Sequence, residues 1–562
     1  MKSVSGHYWE EASINNRLIE KVKNDYGFSN ILSKILIERE FSKTEIDTIN
    51  NELPINNPFL SDVDFKKAIK IINEKINKND KILLIGDYDV DGCVSTSLLK
   101  NFFKLINVNV DFCVPNRFND GYGASLDLIK KLIKKKPDLV IMLDCGSNSV
   151  ESVKYLKKNK TQVIIIDHHE IYKPYPDADC LINPKKDIRY KDFDYFCTSG
   201  LVYFFIDFYI KKKKLNINFE ENLIYVLLAI VCDVMPIRKI NRILALKVLK
   251  ELNVKTNFLF KEIFKIKKFE RPININDFAF LIGPILNSAG RLTDASIVVD
   301  LLTSDDFSYK KKIINKLILI NEKRKKIENN FLKEIDLNYI MKCNDNIIIE
   351  YKKVLNEGLI GIIASKLKDY FNKPSIVLTK IGNNYKASAR STKNFNIGMN
   401  IKKCIDNNLL INGGGHNLAA GFTIKRSKFN DFKTYINNLF EKKKIINKRK
   451  YISKISISAI NNSFFNDIQN AGPFGFGNSN PVFLLENIRI IKPKILKNKF
   501  VSFFVKSKNS RFLSAISFNL VESAINKELL FNKNEISLLV QINENFWNNK
   551  KNLQLVVVDV IS

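Results

Sequence analysis

Two short stretches, Asp87-Tyr88-Asp89-Val90-Asp91-Gly92 and Asp167-His168-His169, set carboxylates and imidazoles directly after runs of aliphatic residues. Three carboxylates within five residues repel one another when gathered, so their clustering makes sense when cations neutralise them. Asp144 follows a similar run, Leu139-Val140-Ile141-Met142-Leu143, and Asp233 follows the apolar segment Leu223 to Val231. Carboxylate oxygens with one or two imidazoles suit Mn²⁺ or Mg²⁺, whereas thiolates would point to zinc. A bridging carboxylate with partners on either side allows two metals about 3.5–4 Å apart, the arrangement that activates a water in phosphodiester hydrolysis. Taken singly these signals are weak, because a lone Asp after a strand is usually a turn or helix cap and a His-His pair is often a satisfied polar loop. Their number and order favour a metal site.

The elements that must position these groups can be read from hydrophobic pattern. Ile82-Leu83-Leu84-Ile85, Leu139 to Leu143 and Val163-Ile164-Ile165-Ile166 are short, continuous and partly β-branched, as expected of parallel strands buried on both faces. With amphipathic segments between them, they predict a doubly wound α/β unit that gathers ligands at the carboxyl ends of its strands. Asp277 to Leu302 reads as helices broken at Gly283-Pro284 and Gly290. Residues 1–50 read as a small helical segment without recognisable chemistry, and 51–305 as the first α/β lobe. The stretch 306–342 has helical periodicity, many charges and neither Gly nor Pro, which suits a long connecting helix. A second α/β lobe is expected over 343–445, with the Gly-rich loop Gly413-Gly414-Gly415-His416. Residues 446–562 are β-rich: Val501 to Val505, Phe512 to Phe518, Ile536 to Ile542 and Leu553 to Val560 suit an OB-like barrel, and a small sandwich is nearly as consistent.

At 562 residues the chain is long enough for three or four cores. Its 90 Lys and Arg against 59 Asp and Glu give a formal charge of +31, which favours a polyanionic partner such as nucleic acid. Lys, Asn and Ile are abundant throughout, so part of that charge reflects overall composition. Eight cysteines without a Cys-x-x-Cys pair argue against a zinc ribbon or disulfide framework and fit a reducing cytoplasm. The opening residues have no signal-peptide apolar stretch, and no apolar run reaches membrane-spanning length. A soluble cytoplasmic protein is expected.

The ordered set Asp-Tyr-Asp-Val-Asp-Gly, Leu-Asp-Cys-Gly, Asp-His-His and Val-Cys-Asp-Val-Met-Pro resembles the four motifs of the DHH phosphoesterase superfamily, and within it the single-strand-specific exonucleases. The resemblance continues through Val114-Pro115-Asn116-Arg117 to Gly121-Tyr122-Gly123, Gly283 to Arg291, Glu357 to Ala364, Ser388-Ala389-Arg390-Ser391, Gly413 to Gly421 and Gly472 to Asn478. Nearly the whole chain is covered. It implies two α/β lobes, a DHH domain and a DHH-associated domain, joined by a long helix and followed by an OB-like barrel.

The resemblance further implies metal ligands Asp89, Asp91, Asp144, His168 and Asp233, with Asp87 among them and His169 beside them, for two ions of Mn²⁺ or Mg²⁺. It implies a terminal-phosphate pocket of Arg291, Ser388 and Arg390, with Arg117 near the scissile phosphate. Arg suits these places because its planar fork binds phosphate bidentately. Gly414, Gly415 and His416 would approach the phosphate, Asn287 would lie in the substrate site, and Tyr122 would either stack on a base or pack in the core. Related phosphoesterases often carry a His where this chain has Ile85, so the second metal's ligand set departs from their pattern; Cys145 stands where Asn is more usual. The activity implied is 5′→3′ degradation of single-stranded DNA to mononucleotides in repair and recombination, by a monomer supplied by a helicase and a single-strand-binding protein. Alternatives are another DHH phosphodiesterase, acting on short RNA or cyclic dinucleotides, and an inactive single-strand-binding scaffold.

Overall fold

A computed structural model describes the chain except residues 251–256, 270, 336–339, 341–344, 441–447, 498, 509–510, 520, 548–549 and 562. The expected divisions at 342/343 and 445/446 lie outside the described residues.

The aliphatic runs assemble into a five-stranded, wholly parallel sheet. Its spatial order is Asp111–Cys113, Ile82–Ile85, Leu139–Leu143, Gln162–Ile166, Cys180–Ile182. The three central strands are almost entirely buried, which is why they read as unbroken apolar runs and not as alternation. One face packs on helices Val90–Leu105, Thr198–Lys213 and Leu223–Cys232 in the largest hydrophobic core. The other is covered by Leu126–Leu132 and Val150–Lys158. In this strand order the chain reverses direction between Ile82–Ile85 and Leu139–Leu143, and a crevice opens there beyond the strand ends. Asp87 to Asp91 and Asp144 follow those two strands directly.

The Gly283-Pro284 pair does not break the helix. Helix Ile275–Asp277 runs into Gly283–Leu292 through a single wide turn, Phe278–Ile282, and Pro284 falls in the first turn of the second segment. There its missing N–H costs little, and the wide turn relieves the clash its ring would cause.

The connecting helix spans Phe307–Glu334 and packs its apolar stripe, including Ile314 and Leu317, on the first lobe. The second lobe is a mixed five-stranded sheet in the order Asn412–His416, Ala419–Lys425, Asn384–Arg390, Ser375–Ile381, Ile348–Lys352. Helix Glu357–Phe371 covers one face, and Ile397–Asp406 with Phe429–Asn438 covers the other.

The third sheet is a closed barrel in the order Phe483–Leu496, Phe500–Lys506, Leu513–Ser517, Lys550–Ile561, Ile536–Trp547, the OB-type path and not a sandwich. The N-terminal residues do not stand apart. Leu32, Ile35, Leu36, Phe41 and Ile46 share one core with the barrel interior. Strand Tyr8–Glu11 pairs in parallel with Lys448–Tyr451, and buried Trp9 donates its indole N–H to Asp559 at 2.9 Å. Among the described residues no helix is long and apolar enough to cross a membrane.

Candidate metal centre

Each acidic side chain is placed by an element end. Asp89 caps helix Val90–Leu105, accepting from Gly92 N at 3.0 Å. Asp91, in its first turn, faces the N-terminus of Thr198–Lys213 and accepts from Thr198 N and Ser199 N, both at 2.8 Å. Two N–H groups at a helix start stabilise that carboxylate. Asp144 holds a left-handed backbone, φ 61°, and accepts from Thr198 Oγ1 at 3.0 Å. A non-glycine residue in that region marks local strain of the kind that gathers at functional sites. Asp233 follows the end of Leu223–Cys232.

These ends converge. His168 Nε2 lies 3.2 Å from Asp233 Oδ2, 3.5 Å from Asp144 Oδ1 and 3.9 Å from Asp91 Oδ2. Ligand atoms of Asp87, Asp89 and Asp144 lie within 4.8 Å of one another, as do those of Asp91, His168 and Asp233, and those of Asp144, His168 and His169. The triads Asp87/Asp89/Asp144 and Asp91/His168/Asp233 lie side by side, with Asp144 Oδ1 3.5 Å from His168 Nε2. Among the described residues no Lys or Arg forms an ion pair with Asp87, Asp89, Asp91, Asp144 or Asp233; only the two histidines approach them.

The electrostatic consequence is severe. Burial, then the Asp89 charge, pushes Asp87 up to about 8. Burial and the neighbouring carboxylates also raise Asp91, Asp144 and Asp233. Burial, then the His169 charge, brings His168 down to about 3, so its imidazole is neutral, the form that ligates metals. Both His168 ring nitrogens and Asp87 Oδ1 are buried without a hydrogen bond. Unpartnered buried polar atoms are costly, and divalent cations would take Asp87 Oδ1 and one His168 ring nitrogen as ligands while neutralising the carboxylates. The residues present therefore fit Mn²⁺ or Mg²⁺.

Asp167 plays a different part from its neighbours. Its carboxylate accepts from Ser147 N, His168 N, His169 N and His169 Nδ1 at 2.8–3.2 Å, and despite burial these bonds hold it well below the usual range. It is the anchor that shapes the loop carrying His168. Burial opposes charge on His169, but the Asp167 hydrogen bond and charge outweigh it and push His169 up to about 9. The other ring nitrogen of His169 pairs with Tyr122 Oη at 3.1 Å. Tyr122 is more than half exposed, so its ring is no core aromatic. Ile85 is wholly buried in its strand and supplies nothing to the centre. Cys145 is buried, donating weakly to Ile85 O.

Positive charge flanks the carboxylates. The Arg117 guanidinium lies 4.0 Å above the Tyr88 ring, and its Nε is buried without a partner. Burial, then the charges of Arg117 and Arg324, brings Arg291 down to about 10. Burial, then Arg117, lowers Arg390 as well. Arg390 Nη1 donates to Ser388 Oγ at 3.2 Å, and both lie so close to Gly361 that a Cβ there would sit 3.1 Å from each. Arg291 donates to Gly358 O at 3.3 Å, so the start of helix Glu357–Phe371 joins the cluster. Burial and neighbouring guanidiniums disfavour charge on Arg291 and Arg390, and an anion between them would relieve this. Arg324, on the connecting helix, is the member that motif reading missed; its only sequence signal is an Arg among lysines.

Asn287 Oδ1 accepts from Val90 N at 3.2 Å, tying helix Gly283–Leu292 to the acidic loop. His416 is exposed on strand Asn412–His416 and shares a cavity of about 510 Å³ with Glu170, Tyr172, Asn396 and Met399, across the cleft between the lobes. It makes no hydrogen bond to the carboxylates. Gly413 and Gly415 are demanded by sheet packing, since a Cβ would meet Phe422 or Ala420 at 2.5–2.6 Å, while Gly414 has open space above it.

This fold and centre are similar to those of DHH-type phosphoesterases. The model of the DHH family, N-terminal domain, matches residues 81–230, that of the DHHA1 domain 344–442 and that of the RecJ OB domain 453–559. The chain thus carries, in order, a DHH-family N-terminal domain, a DHHA1 domain and a RecJ OB domain. It is 27% identical over 564 residues to the single-stranded-DNA-specific exonuclease RecJ of Bacillus subtilis, covering 98% of this chain and 70% of that one. It is 27% identical over 526 residues to RecJ of Haemophilus influenzae, covering 88% and 89%. The crystal structure of Thermus thermophilus RecJ in complex with Mn²⁺ superposes over 99% of this chain and 79% of that one, with a TM-score of 0.84 at 19% identity, which shows the shared fold.

Proposed function

We propose that this chain is a metal-dependent exonuclease that degrades single-stranded DNA from the 5′ end to mononucleotides. The observation that carries the reading is one juxtaposition: five clustered carboxylates without a Lys or Arg partner among the described residues, beside the buried guanidiniums of Arg291 and Arg390. That is the charge pattern a phosphodiester and its metals would neutralise. The curated relatives that bear the name single-stranded-DNA-specific exonuclease support the substrate.

In this reading Asp87, Asp89, Asp91, Asp144, His168 and Asp233 would hold Mn²⁺ or Mg²⁺. The metals would lower the pKa of a water toward neutrality and stabilise charge developing on phosphate oxygens. The chain's own groups do the rest. Thr198 and Ser199 N–H fix Asp91, and Asp167 fixes the loop of His168, so the ligands need no reorganisation. His169, held protonated by Asp167, donates its other N–H to Tyr122 Oη, which leaves the Tyr122 hydroxyl proton free for a phosphate oxygen. Arg117, stacked on Tyr88, offers its unpartnered Nε to the scissile phosphate. Arg291, Ser388 and Arg390 receive the terminal 5′ phosphate at the start of helix Glu357–Phe371, and His416 with Gly414 and Gly415 contacts the strand from the second lobe.

Action in the cytoplasm as a monomer, in repair and recombination, with a helicase and a single-strand-binding protein supplying unwound substrate, completes the proposal. Digestion of 5′-labelled, 3′-labelled and duplex oligonucleotides tests it. A labelled mononucleotide should be the first product from the 5′-labelled single strand, with duplex resistant. Arg390→Ala should erase the preference for a 5′ phosphate over a 5′ hydroxyl. First release from the 3′ end, or equal attack on duplex, would contradict it.

A further inference from the structure

A second cavity, also about 510 Å³, adjoins the acidic centre and differs from it in character. Its walls are apolar, and three of them are costly to leave in water: Val234 is 57% exposed, Phe476 60% and Phe280 75%. Single exposed apolar side chains are ordinary, but three large ones around one concavity mark a binding surface.

Two features show that the exposure is built in. Val234, next to the ligand Asp233, has φ 57°, a conformation a β-branched residue adopts only under constraint. Phe476 sits between two glycines pressed onto the catalytic lobe. A Cβ on Gly475 would lie 2.8 Å from Ile237 Cγ1, and one on Gly477, itself at φ 73°, would lie 2.8 Å from Pro236 Cβ. With Ile237 N bonded to Phe476 O at 2.8 Å, this loop is clamped down and its one large ring is turned into the cavity.

The cavity's polar end is Asn287, Arg291 and Arg324. Asn287 also bonds the acidic loop, and Arg324 is fixed by Asn321 at 2.9 Å and Glu328 at 2.6 Å. A site with apolar, aromatic walls and a fixed cationic side chain fits a nucleotide unit: a base against the rings, a phosphate at Arg324. The cavity runs from Cys232 and Val234, the neighbours of Asp233, to the segment entering the barrel, so it lies between the metal centre and the OB-type domain.

Resting on the reading of this chain as a single-strand nuclease, we propose that Phe280 and Phe476 form a base-stacking subsite for the strand beyond the scissile phosphate, with Arg324 as its phosphate contact. Binding of 5′-phosphorylated dT12 and of a series carrying one abasic position each, measured in EDTA so that no turnover occurs, provides the test. For the unaltered chain, an abasic lesion at one or two internal positions should weaken binding. Phe280→Ala/Phe476→Ala should weaken dT12 about 5- to 100-fold and make it insensitive to the lesion at those positions, while Phe476→Trp keeps both affinity and sensitivity. Both altered rings are exposed, so the thermal midpoint should not move. Equal affinity and an equal abasic profile in the double variant, with an unaltered chain that binds and cleaves, would overturn the subsite alone. An unaltered chain that neither binds dT12 nor cleaves it with Mn²⁺ would overturn the nuclease reading as well.

Discussion

Gly290→Ala sets two measurable effects against each other. Gly290 lies inside helix Gly283–Leu292 where it presses on the loop of the first acidic motif. A Cβ there would sit 2.2 Å from the Tyr88 carbonyl oxygen and 3.2 Å from its carbon. Ordinary contact begins near 3.4 Å, so helix and loop must part by about 1 Å. Replacing an interior helical Gly with Ala would by itself stabilise by about 1 kcal/mol. Overpacking against backbone costs about 1–3 kcal/mol, so the net is a loss of at most about 2 kcal/mol. That leaves a domain of ordinary stability folded. The chemistry suffers more, because Tyr88 stands between Asp87 and Asp89, and a displacement of about 1 Å in a reacting constellation costs on the order of 100-fold in rate. Urea unfolding should therefore show a loss of no more than about 2 kcal/mol while Mn²⁺-dependent hydrolysis by the same preparation falls about 100-fold. A variant that is fully active and about 1 kcal/mol more stable would refute the packing of this helix on the acidic loop.

Two further perturbations test the supports of the centre and of the assembly. Glu45, 1% exposed at its side chain, accepts from Arg238 at 2.7 and 3.1 Å and from Lys239 N at 2.8 Å, joining the N-terminal helices to the catalytic lobe. Glu45→Ala should cost about 3–5 kcal/mol in urea unfolding, because Arg238 is left without its partner. Burial raises the Glu45 pKa, but its hydrogen bonds outweigh burial and hold it below the usual value. Its contribution is thus complete above the ordinary glutamate pKa of about 4.3 and disappears as pH falls through the lowered one; a gap between the two proteins that persists unchanged at lower pH would contradict this. Asp167→Asn should leave the fold intact yet weaken Mn²⁺ binding about 10- to 100-fold by calorimetric titration, since the loop of His168 loses its charged anchor. Unchanged affinity would remove Asp167 from the account.

Much of the fold was legible because its signals are local. Buried parallel strands such as Leu139–Leu143 announce themselves as short apolar runs, and the motifs follow them directly. The first barrel strand, Phe483–Leu496, was not legible: its register shifts after Leu485 and again after Ile491, and it contains Pro493, so no period of two survives. The docking of the N-terminal residues was equally hidden, because Trp9 and Asp559 are 550 positions apart and neither has a local reason to seek the other. In the candidate centre, residue types indicated which side chains could ligate, while the division of labour needed coordinates. Asp167 and Asp89 look alike in the chain, yet Asp167 is saturated by four N–H groups and Asp87, two residues before Asp89, has an oxygen with none. Arg324 lies in a lysine-rich helix with no motif around it, and only the packing of that helix brings it beside Arg291.

The most direct test of the central claim is Mn²⁺-dependent release of mononucleotides from a 5′-labelled single strand by Asp144→Asn beside the unaltered chain. Asparagine keeps the shape and removes the charge at a buried carboxylate of one ligand triad that lies 3.5 Å from His168 of the other. The account predicts loss of hydrolysis at every Mn²⁺ concentration with the thermal midpoint kept or raised, because one buried repelling carboxylate is gone. Hydrolysis at an undiminished rate would show that the cluster around Asp144 is not where the phosphodiester is cut.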